Sequence, residues 1–430
     1  MILLHNSLKS FFLYSLLICL TFHFVKDNTN FYYLALIIIY IALFINFIID
    51  NKSYLSNDLA QNVYLFFLLH LLIICVYTLW IYESEFRDNF SLIHVLTSFG
   101  RVMLMPILPL LIVGLFSRID DFNKIFSYFL LIMCLGTLTM AIQQVIGGLS
   151  VFGSSGTPRF AGMIPYSGSV GNITIYGTTA AIPIIIATSK RYSAFIKILI
   201  IILVSLGCLL TMQKSGLVNL FLSIIAVLFL VSKMTSLKLI LTVTILSSLI
   251  IYSFPKVGYN AASLYSNTFG YEIIEGTTHK GIYRPIGKSF LERAGGLFLK
   301  KPDSIREFLI GNGNFGGSDA LGFNLTEETF PDIEKNVPNI STTHNQFLDI
   351  YQQGGLLLLI NFIFLLLVVQ ISLAKKWFNE SDENAKILFI CNCFTIINFT
   401  VANGLIYHPI ASFIFWISIT FIIFNNTNKI

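Results

Sequence analysis

Residues 352–373, "QQGGLLLLINFIFLLLVVQISL", contain no charged side chain. A helix of about 20 apolar residues matches the roughly 30 Å hydrocarbon core of a bilayer, and lipid leaves the backbone no partners outside itself, so a spanning segment must be helical or part of a closed barrel. This stretch therefore reads as a membrane span. Comparable runs occupy 11–25, 32–49, 62–82, 93–116, 125–145, 173–189, 195–212, 216–232, 237–254, 386–404 and 409–425, which makes about twelve in all. The first run is followed by further spans and lacks a small-residue cleavage site, so a retained span is expected rather than a signal peptide. Composition agrees, with 55% hydrophobic and 11% charged residues and a mean hydropathy of +0.78, outside the range of soluble globular domains. The expected fold is all-α and integral to a membrane, with residues 1–254 forming spans one to nine and residues 346–430 forming spans ten to twelve. A large loop subdomain, 255–345, lies between them.

An even number of spans puts both termini on one side, and cations mark the cytoplasmic loops. Assigning the termini and alternate short loops to the cytoplasm collects Lys9, Lys52, Arg118, Lys124, Lys190, Arg191, Lys197, Lys233, Lys238, Lys375, Lys376, Lys386 and Lys429, whereas the opposite short loops hold Lys26, Arg87, Arg159 and Lys214. Both termini are thus expected in the cytoplasm and the large loop outside, in the periplasm of a Gram-negative cell. All six cysteines fall in expected spans, where they serve as small apolar packing residues.

Within the large loop, "SFLERAGGLFLKKPDSI" (289–305) has the pattern of a short amphipathic helix stopped by Pro302. The following "GNGNFGGSDALG" is rich in turn-forming glycine but lacks the strand and Lys-Ser/Thr of a phosphate-binding loop, so no nucleotide is expected there. The spans carry no Asp or Glu, and coupled transporters ordinarily need such carboxylates. Arg101 precedes Pro106 and Pro109, where it either lines a cavity or snorkels to an interface.

The outward face carries more information. Arg159 lies in "GTPRFAGMIPYSGSVGN", Lys214 in "TMQKSGLVNL" and Arg293 in "LERAGGLF". Three separated cations on one membrane face suit an anionic lipid diphosphate, since a guanidinium fork meets phosphate oxygens in pairs and an ammonium acts as a point charge. Any one of them alone is equally an ordinary headgroup or solvent contact. Arg284, Lys288 and Arg306 add positive charge that could meet headgroups or glycan. His344 and Asn345 stand in "THN", just before the hydrophobic run resumes. A neutral imidazole with a pKa near 6.5 can accept a hydroxyl proton at neutral pH; a histidine satisfied at an interface is the plainer reading. Asn345 could orient His344, contact a sugar hydroxyl or cap the helix that begins there.

Four of these features recur in order: "RFAG" before a span, "MQKSGLVNL" at an outward turn, "LERAGGLFLKKP...LIGNGNFGG" in the large loop, and "THNQFLDIYQQGG" opening the next span. This arrangement over about 155–375 resembles the O-antigen ligase and O-antigen polymerase superfamily of bacterial envelope enzymes. The resemblance implies a GT-C-like, all-helical membrane glycosyltransferase of the inner membrane that uses an undecaprenyl-diphosphate-linked glycan as donor. It implies His344 as the base that activates the acceptor hydroxyl, and Arg159 and Arg293 as diphosphate ligands. Lys214 departs from the arginine common at that turn, keeping charge and losing the fork. No metal, cofactor or nucleic acid is implied; membrane lipids, a flippase and a chain-length regulator are the partners it suggests. Polymerase is favoured over ligase, which would transfer the glycan to lipid A core, and over a non-enzymatic lipid-linked glycan transporter. Asn403 and His408, in "VANGLIYHPIA", either line the same cavity or shape a turn, and Asp349, at i+5 from His344, is poorly placed to pair with it.

Overall fold

The computed structural model describes residues 58–81, 103, 105–109, 120–145, 179–211, 302, 304–311, 345–399 and 412–427, with a few helical residues between 219 and 227. These contain helices α1 (Asp58–Ile81), α2 (Asp120–Val145), α3 (Ala181–Ala187), α4 (Ala194–Thr211), α5 (Ile305–Ile310), α6 (Gln346–Glu380), α7 (Glu383–Phe399) and α8 (Phe413–Thr427). The described residues include no strand. Among the described residues one helix, α6, is long and apolar enough to cross a membrane; α1, α2, α4 and α8 contain shorter apolar segments.

The organising element is α6, which packs against α1, α5, α7 and α8, while α3 connects α7 to a second group, α2 and α4. Aromatic rings hold the centre. Phe362 lies 6.1 Å from Phe399, 6.2 Å from Phe415 and 5.8 Å from His70, measured between ring centroids. Phe66 stacks on Phe364 at 5.6 Å, and the Asn361 amide donates to the Phe66 carbonyl at 3.3 Å. Dispersion between these interlocking rings, together with interhelical hydrogen bonds, holds the helices together. His70, fully buried between Phe362 and Trp416, belongs to this core.

Helix α6 does not stop where its hydropathy falls. The expected span ends at 373, but the helix runs to Glu380, and only Ser381 and Asp382 separate it from α7. Ser381 takes a left-handed conformation (φ 54°, ψ 30°), and Asp382 accepts from the Asn384 and Ala385 amides at 2.8 and 3.1 Å, capping α7. Lys376, expected in a loop, instead lies on the helix, buried, with its ammonium 5.9 Å from the Phe421 ring.

That end gathers several basic segments. Glu383 accepts from the Lys190 amide at 2.9 Å and from Ser189 Oγ at 3.2 Å; Arg191 Nη2 donates to Asn384 Oδ1 at 2.6 Å; and Ser127 Oγ lies 3.2 Å from the Tyr192 hydroxyl. Loop alternation assigns Lys124, Lys190, Arg191, Lys376 and Lys386 to one side, and the segments that carry them meet at this end of the bundle.

Candidate functional site

The other end of α6 is built differently. Asn345 is the N-cap, with extended backbone (φ −145°, ψ 117°), and its Oδ1 accepts from the Phe347 and Leu348 amides at 3.0 and 3.3 Å. Of the three roles open to Asn345 in the sequence, capping is the one this geometry displays. The first turns then bury Gln346, Asp349 and Gln353, spaced three and four residues apart and therefore on one face of the helix. At Gly355 the helical dihedrals fail (φ 66°, ψ −169°), so α6 consists of two helical segments joined at a kink. Only glycine takes this backbone conformation without strain.

The kink accommodates α5. A Cβ on Gly355 would collide with the backbone of Leu309 and Ile310, and one on Gly311 (φ 73°) would collide with Gln353 and Gly355. The chains approach so closely because neither glycine has a side chain. Phe308 meets Tyr351 edge to face at 6.1 Å. Helix α5 is capped by Ser304, whose hydroxyl accepts from the Glu307 amide at 3.1 Å. The helix expected over 289–301 lies outside the described residues; α5 begins after Pro302.

A third segment joins from the far side. Asn219 and Asn398 exchange amide hydrogen bonds at 2.9 and 3.0 Å, both buried. Asn398 also donates to the Phe394 carbonyl at 2.8 Å, and its neighbour Phe399 lies 6.3 Å from Phe347. Parts of three of the quoted motifs thus converge on the N-terminal end of α6: "MQKSGLVNL" through Asn219, "LIGNGNFGG" through Ile310 and Gly311, and "THNQFLDIYQQGG" through Asn345 to Gly355.

His344, Arg159, Lys214, Arg284 and Arg293 lie outside the described residues, as do Arg101, Asn403 and His408. Asn345 is the described member of the candidate set. Sequence reasoning gave no role to Asn219, Asn398 or the Gly311–Gly355 contact; an asparagine inside an apolar run was the available signal for the first two. Among the described residues, no three His, Cys, Asp or Glu side chains are grouped to hold a metal ion. Cys208 and Cys391 are buried, and the described cysteines are free thiols. No protein-family model matches the chain, and no curated protein matches it significantly in sequence.

Proposed function

We propose that the chain is a multispanning inner-membrane glycosyltransferase, an O-antigen polymerase that joins undecaprenyl-diphosphate-linked repeat units on the periplasmic side, with both termini cytoplasmic. The observation that carries this reading is the convergence just described. Three motif segments dispersed from 211 to 355 meet at one end of α6, next in the chain to His344, and a shared catalytic end is a physical reason for such residues to be drawn together.

The chemistry follows from the residue types. The acceptor hydroxyl oxygen attacks the donor's anomeric carbon from the face opposite the diphosphate, inverting that centre. The bond from the anomeric carbon to the diphosphate oxygen breaks, and its electron pair leaves with undecaprenyl diphosphate. His344 takes the hydroxyl proton. Arg159, Arg293, Lys214 and Arg284 stabilise the negative charge that grows on the leaving diphosphate. Asn345, engaged as a cap, fixes where the helix starts and so where the preceding residue emerges.

A deletion strain tests the reading through its lipopolysaccharide gel pattern. Loss of polymer with a single repeat still on lipid A core is the expected result. Loss of every repeat, with polymer accumulating on undecaprenyl diphosphate, identifies a ligase instead, and an unchanged ladder overturns both.

A further inference from the structure

Helix α5 is clamped to α6 yet buries none of its own residues. Ile305 is 80% exposed, Phe308 42% and Leu309 39%. These three side chains stand at i, i+3 and i+4 and so share one face. The clamp itself is made mainly of other atoms: Ile310 packs against the core, the backbone of Leu309 and Ile310 lies against Gly355, and of the three exposed side chains Phe308 adds an edge-to-face contact with Tyr351.

The clamp fixes the depth of α5. Gly355 immediately precedes Leu356, where the polar QQGG stretch gives way to the predominantly apolar run 356–374, whose polar residues are Asn361, Gln370 and Ser372. At about 1.5 Å per residue that run covers about 28 Å, close to the roughly 30 Å of bilayer hydrocarbon. Helix α5 therefore sits at the edge of the apolar slab. From there an exposed apolar stripe continues along α6 through Leu357, Ile360, Phe364, Leu367 and Ile371, spaced three or four residues apart on one face. Lys300 and Lys301 precede α5 in sequence, the residue type that partners anionic headgroups.

We infer that α5 is an interfacial anchor, its Ile305–Phe308–Leu309 face seated at the boundary between headgroups and acyl chains in the leaflet at the Asn345 end of α6. The occupant of that face is the lipid surface, because the helix that carries it is clamped at the start of the apolar run of α6 and two lysines precede it in sequence. The glycine clamp then transmits this depth to the helix turns that follow Asn345. The inference needs α6 to cross the membrane and is independent of any catalytic assignment.

Spin labelling tests it. Phe308→Cys, Ile305→Cys and Glu307→Cys are each made in the full chain with its six native cysteines changed to alanine. The labelled proteins are placed in nanodiscs of phosphatidylethanolamine and phosphatidylglycerol, with a label at Leu367→Cys as the lipid-facing reference. Labels at 308 and 305 should collide more with oxygen than with an aqueous nickel complex, at a depth of about 5–10 Å, and the label at 307 should be the more water-accessible. Greater nickel than oxygen accessibility at both 305 and 308 would show a solvent-facing helix and overturn the anchor. Shielding of both labels from both reagents would also overturn it, showing that protein, such as a second copy of the chain, covers the face.

Discussion

The two ends of α6 solve the problem of ending a helix in opposite ways. At the Glu380 end the chain reverses within two residues, and charged groups meet backbone amides: Asp382 caps α7, and Glu383 holds the 189–190 segment. At the Asn345 end the helix is interrupted at Gly355, two glycines allow backbones to touch, and a pair of neutral amides is buried. A water-facing turn can be closed by charge at little desolvation cost. An end that buries polar groups and bends its backbone incurs strain that only the surrounding structure can hold, and such features cluster at functional sites. The proposed function assigns its chemistry to the Asn345 end, and the contrast is what supports that assignment.

Four experiments would break or sharpen this contrast. The largest effect is expected at His344. If it is the proton acceptor, His344→Ala lowers polymerisation by about 100- to 10,000-fold while the protein accumulates normally in the membrane, read from gel ladders beside immunoblots. A normal ladder at normal expression would reduce His344 to an interface residue.

Gly355→Ala comes next. It forces an L side chain into a left-handed conformation and drives a Cβ into the α5 backbone, for an expected loss of about 2–4 kcal/mol, measured as unfolding in detergent. Gly354→Ala is the comparison, because there the added Cβ meets the flexible Leu358 side chain rather than backbone. Equal losses for the two would remove the kink from the account.

A smaller change is expected at the amide pair. Asn398→Ala removes the two hydrogen bonds that join it to the buried Asn219 amide; with Asn219→Ala and the double variant it forms a cycle whose coupling energy should be about 0.6–1.7 kcal/mol, as for hydrogen bonds within membranes. A coupling of zero would mean that the two residues contribute separately. The smallest effect belongs to the charged end, where Glu383→Ala should lose about 0.5–1 kcal/mol and leave polymer formation intact. A Glu383 variant that folds but makes no polymer would invert the comparison between the two ends.

The sequence was most legible where signals are local. An asparagine before an apolar run is a cap signal, and Asn345 does cap. A charge-free stretch of spanning length is a helix, and 352–373 lies inside one. Hydropathy misplaced Lys376 because it ends a span at the first charge, whereas backbone hydrogen bonding is indifferent to side-chain charge. The helix continues, and the lysine ammonium lies over the Phe421 ring at 5.9 Å. The two glycines of "QQGG" looked alike, and only Gly355 takes positive φ.

By itself the sequence determined the helical class and, of the twelve spans it predicts, the one at 352–373 that lies in a helix of membrane-crossing length among the described residues, because composition and hydrophobic run length act over neighbouring residues. The tertiary structure alone decided that Asn219 faces Asn398 across 179 positions and that Gly311 lies against Gln353 and Gly355. It also decided that α6 bends where it does. Those contacts join segments whose separation along the chain carries no periodic signal, and each exists only because a partner is packed in place to satisfy it.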